Sequence, residues 1–223
     1  MIRTWLVPRL FHRQIGFAYR AGQLDFSLMI PAFILILCAV AYRIASGLLI
    51  HSGATWLSNF APMAAIAVCG AAYFPPKFKF SVPLGALFLS DVVLNYYYGA
   101  SLIDPHIAGR YLALAMVGFI GVALEKRASL ATLMPASIAG SITFYLITIV
   151  FSWLSDPGYV KNVAGLIQAL TVGLPAYSAT PSWMFFRNSL VSDVVFTVLF
   201  VACIGFVRKT SGARAGSALP RPA

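Results

Sequence analysis

From Phe26 to Ile50 the chain carries one charged side chain, Arg43. A run of that length matches the hydrocarbon thickness of a bilayer. Five further apolar stretches follow: Phe60 to Phe74, Ser81 to Gly99, Tyr111 to Leu124, Leu130 to Leu154 and Asn188 to Val207. Composition excludes a soluble fold, because 60% of the residues are apolar and 10% are charged, against about 25% charged in ordinary globular proteins. Lipid must solvate the excess, and backbone groups in lipid have to find their partners within helices. The expected fold is an all-α membrane protein. It has a basic interfacial arm over 1–25, six transmembrane helices within 26–207, and a basic disordered tail over 208–223.

The formal charge of +10 does not point to nucleic acid, because it is distributed as a membrane topology signal. With the N-terminus in the cytoplasm, the inner side holds Arg3, Arg9, Arg13, Arg20, Lys77, Lys79, Lys126, Arg127, Arg208, Lys209, Arg214 and Arg221. The outer side holds only Arg110, Lys161 and Arg187. That asymmetry places both termini inside. Trp56, Trp153, Trp183 and Tyr96 to Tyr98 fall at the outer ends of the spans, as an aromatic belt would. The N-terminal arm is not a secretory signal, since its basic stretch is too long and no small-residue cleavage site follows. The last outer connection is long. Its apolar part, Val163 to Leu174, is too short to span, and it leads into Pro175, Tyr177, Pro181, Trp183, Phe185 and Phe186. Such a loop is either a lid over a site or a packing cap.

Two carboxylates lie inside the spans, Asp91 and Asp193, each in a Ser-Asp-Val-Val tetrapeptide three spans apart. An ionised carboxylate costs about 2.5 to 3.5 kcal/mol at the centre of an inserting helix, so each requires a partner or a wet cavity. The pair either fixes helix packing or forms a ligand- or proton-linked site. The matching tetrapeptides also suit a three-plus-three inverted repeat, as in many carriers. Other polar residues, Asn59, Asn95, Tyr96, Asp104, His106, Arg110, Asn162, Arg187 and Asn188, gather at the outer side, so a cavity would open outward. Small residues mark close helix contacts: Ala41 with Ala45, the run through Ala64, Ala67, Gly70, Ala71 and Ala72, and Thr132, Ala136 and Gly140.

Cys38, Cys69 and Cys203 lie in apolar runs without Cys-x-x-Cys spacing, which excludes a disulfide scaffold or a zinc knuckle. Cys69 is either a small core residue or a soft ligand for a transition metal carried by a bound cofactor. No Gly-x-Ser-x-Gly, His-Glu-x-x-His or phosphate-cradling glycine loop is present, and the chain is not expected to be an enzyme.

Three segments carry a family resemblance: Asn59 to Ala67, Pro83 to Asp91, and Phe186 to Leu190 with Asp193 to Phe196. They resemble a family of uncharacterised bacterial six-span proteins assigned to transport by name alone. That family is in turn similar to the substrate-binding S components of energy-coupling-factor (ECF) vitamin transporters. The resemblance implies an S-component-like bundle in the bacterial inner membrane, with a pocket near the outer surface capped by loops. It also implies docking of a coupling subunit and its ATPases, for which Ala41 and Ala45 are the candidates. Because solitary cobalamin-binding relatives reach the cobalt with a cysteine, cobalamin becomes the leading specific substrate and Cys69 its possible cobalt ligand. The expected site comprises Asn59, Cys69, Asp91, Asn95, Tyr96, Trp183, Phe186, Arg187, Asn188 and Asp193. In it, aromatic rings stack, amides donate hydrogen bonds, and the two carboxylates bind. A proton-coupled carrier using Asp91 and Asp193, or a structural membrane scaffold, are the alternatives.

Overall fold

The computed structural model describes residues 26–50, 59–101, 104–176 and 178–217. The basic arm over 1–25, Trp56, Tyr177 and residues 218–223 lie outside them. The described residues form helices and no strand: α1 (Phe26–Ile50), α2 (Met63–Tyr73), α3 (Ser81–Tyr98), α4 (Pro105–Leu124), a 3-10 turn (Glu125–Arg127), α5 (Leu130–Ser155), α6 (Val163–Thr171) and α7 (Ser182–Ser217).

Among the described residues, four stretches are long and apolar enough to cross a membrane: Met29–Leu49, Pro105–Arg127, Leu130–Ser155 and Ser182–Val207. The other two expected spans differ from these. α2 has 11 residues, about 16 Å of helix, which covers only about half of a hydrocarbon core. α3 has 18 residues, but Ser90, Asp91, Asn95 and the Tyr96–Tyr98 triplet make it more polar. α7 continues past Val207 to Ser217, so the stretch expected to begin an irregular tail is helical there.

Side-chain caps set the starts of α4, α5 and α6. Ser129 and Thr132 form a reciprocal capping box at α5. Asp104 caps α4 ahead of Pro105, a proline placed where its missing N–H costs nothing. Asn162 accepts from the Gly165 amide at the head of α6. Gly99 ends α3 in the left-handed conformation at φ 63°, which glycine adopts without a Cβ penalty. α2 follows Pro62 and, like α3 after Phe80, has no side-chain cap of its own.

α2 is also the centre of the bundle. Every residue from Met63 to Ala72 is buried, and α3, α4, α5 and α7 pack around it. A helix that is apolar on all sides belongs in an interior. Small side chains let its neighbours approach closely: a Cβ on Gly121 of α4 would lie 2.3 Å from the Val68 carbonyl oxygen. A Cβ on Gly140 of α5 would lie 2.9 Å from a Val117 methyl group of α4 and 3.4 Å from one of Val68. α1 closes the ring against α3 and α7, with Phe33 stacked on Phe74 at 5.1 Å. α6 lies on α5 and α7.

Candidate functional site

The two carboxylates of the Ser-Asp-Val-Val tetrapeptides are buried in separate centres. At the first, Asp91 on α3 is 2% exposed and its Oδ1 accepts from Arg43 of α1 at 2.9 Å and from Arg110 of α4 at 3.3 Å. Arg43 also donates to the Ser90 hydroxyl, which in turn donates to the Ala86 and Leu87 carbonyls of its own helix. Asp91 Oδ2, Asn95 Nδ2 and Arg110 Nε are buried with no hydrogen-bond partner among the described residues. Arg110 was expected in an outer loop; α4 begins earlier, at Pro105, and its second turn turns Arg110 inward.

At the second centre, Asp193 of α7 is 1% exposed. Its Oδ1 accepts from the Ala65 amide at 2.8 Å and its Oδ2 accepts from the Ser141 hydroxyl of α5 at 2.6 Å. The Ala64 amide is a further donor. These amides belong to the first turn of α2, where no intrahelical acceptor exists. Asp193 therefore supplies, from another helix, the cap that Pro62 cannot. A negative group at a helix N-terminus is also favoured by the backbone dipole. Around it, Thr197 bonds Ser137 at 2.7 Å and the Asp193 carbonyl at 2.7 Å.

A cavity of about 150 Å³ lies between the two centres. Its lining comprises Arg43, Arg110 and Leu87 from the first centre's side chains and neighbours, Asn59, Ala61, Met63, Ala64, Ser141, Ser189 and Asp193 around the second, and Phe144, Tyr145, Thr148 and Phe186. Tyr145 packs on Phe186 with ring centroids 4.8 Å apart, and its hydroxyl donates to the Leu170 carbonyl at 2.6 Å. That bond ties α6 to the cavity wall. At the cavity mouth Asn59 has φ 62°, and its carbonyl accepts from Ser189 at 3.1 Å.

Of the residues expected from sequence, Asn59, Phe186 and Asp193 line the cavity, and Asp91 stands directly behind the two arginines that do. Asn95 lies one turn further along α3. Tyr96 is 91% exposed and faces away. Trp183 and Arg187 form a cation–π pair on the outside of α7, at 5.6 Å, and Arg187 also donates to the buried Asn188 at 3.1 Å. Cys69 is fully buried in the core and is not among the lining residues. Ala41 and Ala45 are exposed on α1. His106 joins α4 to α5 through Ser152 and Ser155, at 3.1 and 3.3 Å. Among the described residues no group of three or more His, Cys, Asp and Glu side chains could hold a metal.

The lining of α5 was missed, although the sequence carried a signal for it. Ser137, Ser141, Tyr145 and Thr148 follow helical spacing, so their polar groups share one face of an otherwise apolar helix.

The profile of the Family of unknown function (DUF6580) matches residues 24–215, from the start of α1 to nearly the end of α7. The chain belongs to this family. Both carboxylate centres and every lining residue of the cavity fall within the DUF6580 match. No curated protein and no solved structure matches the chain.

Proposed function

We propose that this DUF6580 protein is a multi-pass protein of the bacterial inner membrane that binds a small solute in the cavity between α1, α4, α5 and α7 as a step in its transport. The supporting observation is a cavity inside apolar helices lined by two guanidiniums, a carboxylate and three aromatic rings. Ionisable groups at membrane depth are expensive and mark solute paths when they face a cavity. Convergent polar groups on an otherwise apolar wall are the usual make-up of a small-molecule site. A short central helix enclosed by protein, with irregular backbone before and after it, is also how carriers form sites at mid-membrane.

In this proposal α1 to α5 and α7 make six crossings, with α2 an interrupted one, and both termini face the cytoplasm. The distribution of Lys and Arg supports that orientation. It puts Arg43, Asn59, Arg110 and Phe186 in the outer half, so the cavity fills from outside, with α6 tethered over its wall. A corrinoid is not part of the proposal. A cavity of about 150 Å³ suits a molecule near the size of benzene, and Cys69 does not line it.

The test uses the purified full chain in lipid nanodiscs, with small solutes of every charge type screened by thermal stabilisation. Thr148→Phe fills the cavity from a position whose hydroxyl bonds only carbonyls of its own helix. Solutes that stabilise the native chain should lose their effect in Thr148→Phe while its ligand-free melting point stays close to native. If no solute distinguishes the two proteins, the cavity is not a binding site.

A further inference from the structure

Charge at the arginine wall narrows the class of solute. Both guanidiniums are permanent cations, and they share a single oxygen of one carboxylate, Asp91 Oδ1. The wall therefore holds one positive charge more than it neutralises, in surroundings of low dielectric where an unbalanced charge is costly. The charge of Asp193 lies at the other centre, set against the partial positive charge of the α2 N-terminus whose amide it accepts from, so it offsets the arginine wall only weakly. The same contacts keep the α2 N-terminus from serving as an anion site.

The donors are also placed for one ligand. Arg43 spends one terminal nitrogen on Ser90 and the other on Asp91, while Arg110 spends one on Asp91. A guanidinium has five N–H donors, so both retain unused ones, and Arg110 Nε is buried with no partner. Because both cations reach the same oxygen, at 2.9 and 3.3 Å, they lie close enough for one small anion to meet both. Three aromatic rings, Phe144, Tyr145 and Phe186, line the same cavity.

Resting on the cavity being the solute site, we propose that its ligand is a small organic monoanion. It is a carboxylate with a flat apolar body of roughly benzene's bulk. Its oxygens bridge Arg43 and Arg110, and its body lies against Phe144, Tyr145 and Phe186. One negative charge balances the wall, whereas a dianion reverses the imbalance and a cation doubles it.

Benzoate is the probe, compared with benzamide and benzylammonium, by calorimetry on the full chain in phosphatidylcholine nanodiscs at neutral pH. The zwitterionic lipid adds no competing anionic headgroup. Benzoate should bind at least about tenfold more tightly than either analogue. Arg110→Gln, which removes charge-assisted hydrogen bonds, should weaken benzoate by about tenfold or more and benzamide by a clearly smaller factor. Should Arg110→Gln fail to fold, Arg110→Lys keeps the charge and loses the fork, and an intermediate loss for benzoate is expected. Equal binding of benzoate and benzamide, or benzoate binding indifferent to both Arg110 substitutions, overturns the monoanion. If benzamide or benzylammonium binds, Thr148→Phe abolishes it, and benzoate does not bind, the solute site stands and its assignment to anions falls. If no probe binds and no solute of any charge registers in the wider screen, both fall.

Discussion

Ser90-Asp91-Val92-Val93 on α3 and Ser192-Asp193-Val194-Val195 on α7 are the same four residues in the same kind of helix. In both, the serine and aspartate are buried and the last valine is exposed. Their partners differ in kind. Asp91 faces two permanent cations, and Asp193 faces backbone amides and a hydroxyl. The first is an ion-pair centre with charge left over, and the second is a helix cap whose demands are met. An internal three-plus-three repeat would match α1 with α4, α2 with α5 and α3 with α7. Asp91 is held by α1 and α4, and Asp193 by α2 and α5. The matching tetrapeptides therefore do not make matching contacts. A carboxylate at membrane depth demands a partner, but its own sequence does not say which.

Removing each carboxylate tests that contrast most directly. Asp91→Ala leaves two guanidiniums without their shared anion and should cost about 3–5 kcal/mol, the penalty for breaking a buried ion pair. It should be seen as a large fall in melting temperature in detergent or nanodiscs. Asp91→Leu combined with Arg43→Met should recover much of that loss. If Asp91→Ala melts like the native chain, the arginines are solvated and the contrast dissolves. Asp193→Ala should cost less, about 3 kcal/mol, for the amides of α2 left unpaired. Asp193→Asn keeps a carbonyl oxygen for those amides and should lose under about 1 kcal/mol, with solute binding intact. A folded Asp193→Asn protein that no longer binds would show that the carboxylate acts by changing its charge, as in a proton-coupled carrier, and not as a cap.

The division between what the sequence revealed and what it hid follows from physics. Apolar run length fixes all-helical membrane character, because nothing but lipid accommodates such segments. Small-residue spacing correctly marked α2 and Gly140 as places of close packing. Helix ends were less legible: α4 and α7 start about a turn or more before their apolar runs do, at Pro105 and Ser182. That shift carried Arg110 from a loop to the cavity wall and Phe186 onto a helix. Partner identity was not legible, because Arg43, Asp91 and Arg110 sit on three helices whose packing order no single segment encodes. Cys69 became a candidate ligand through the resemblance to cobalamin-binding proteins and its depth in the span, and depth does not distinguish a cavity wall from a core.

A substitution away from both carboxylates can separate the centres. Gly121→Ala pushes a methyl group towards the Val68 carbonyl of α2, and such overpacking typically costs about 1–3 kcal/mol. Shifting α2 disturbs the Asp193 contacts directly, whereas Arg110, the α4 partner of Asp91, lies about three turns from Gly121 and should keep its contact. Double-mutant cycles should therefore show coupling of Gly121→Ala with Asp193→Ala and near-additivity with Asp91→Ala. Equal coupling to both would mean the two centres respond as one unit.

The smallest effect isolates burial as the variable. Lys79 in the connection before α3 pairs with Glu125 of the 3-10 turn at 2.6 Å, a shorter contact than either arginine makes with Asp91. Its carboxylate, however, is 32% exposed, against 2% for Asp91. When Lys79→Met removes the cation, Glu125 can turn to water, and the lysine stem's packing is largely replaced by the methionine. The loss should stay below about 1 kcal/mol, as for ion pairs with access to solvent. Distance alone would rank this pair first among the three and burial ranks it last. A Lys79→Met loss as large as that of Asp91→Ala would mean that proximity of opposite charges, rather than exclusion of water, is what makes the arginine centre matter.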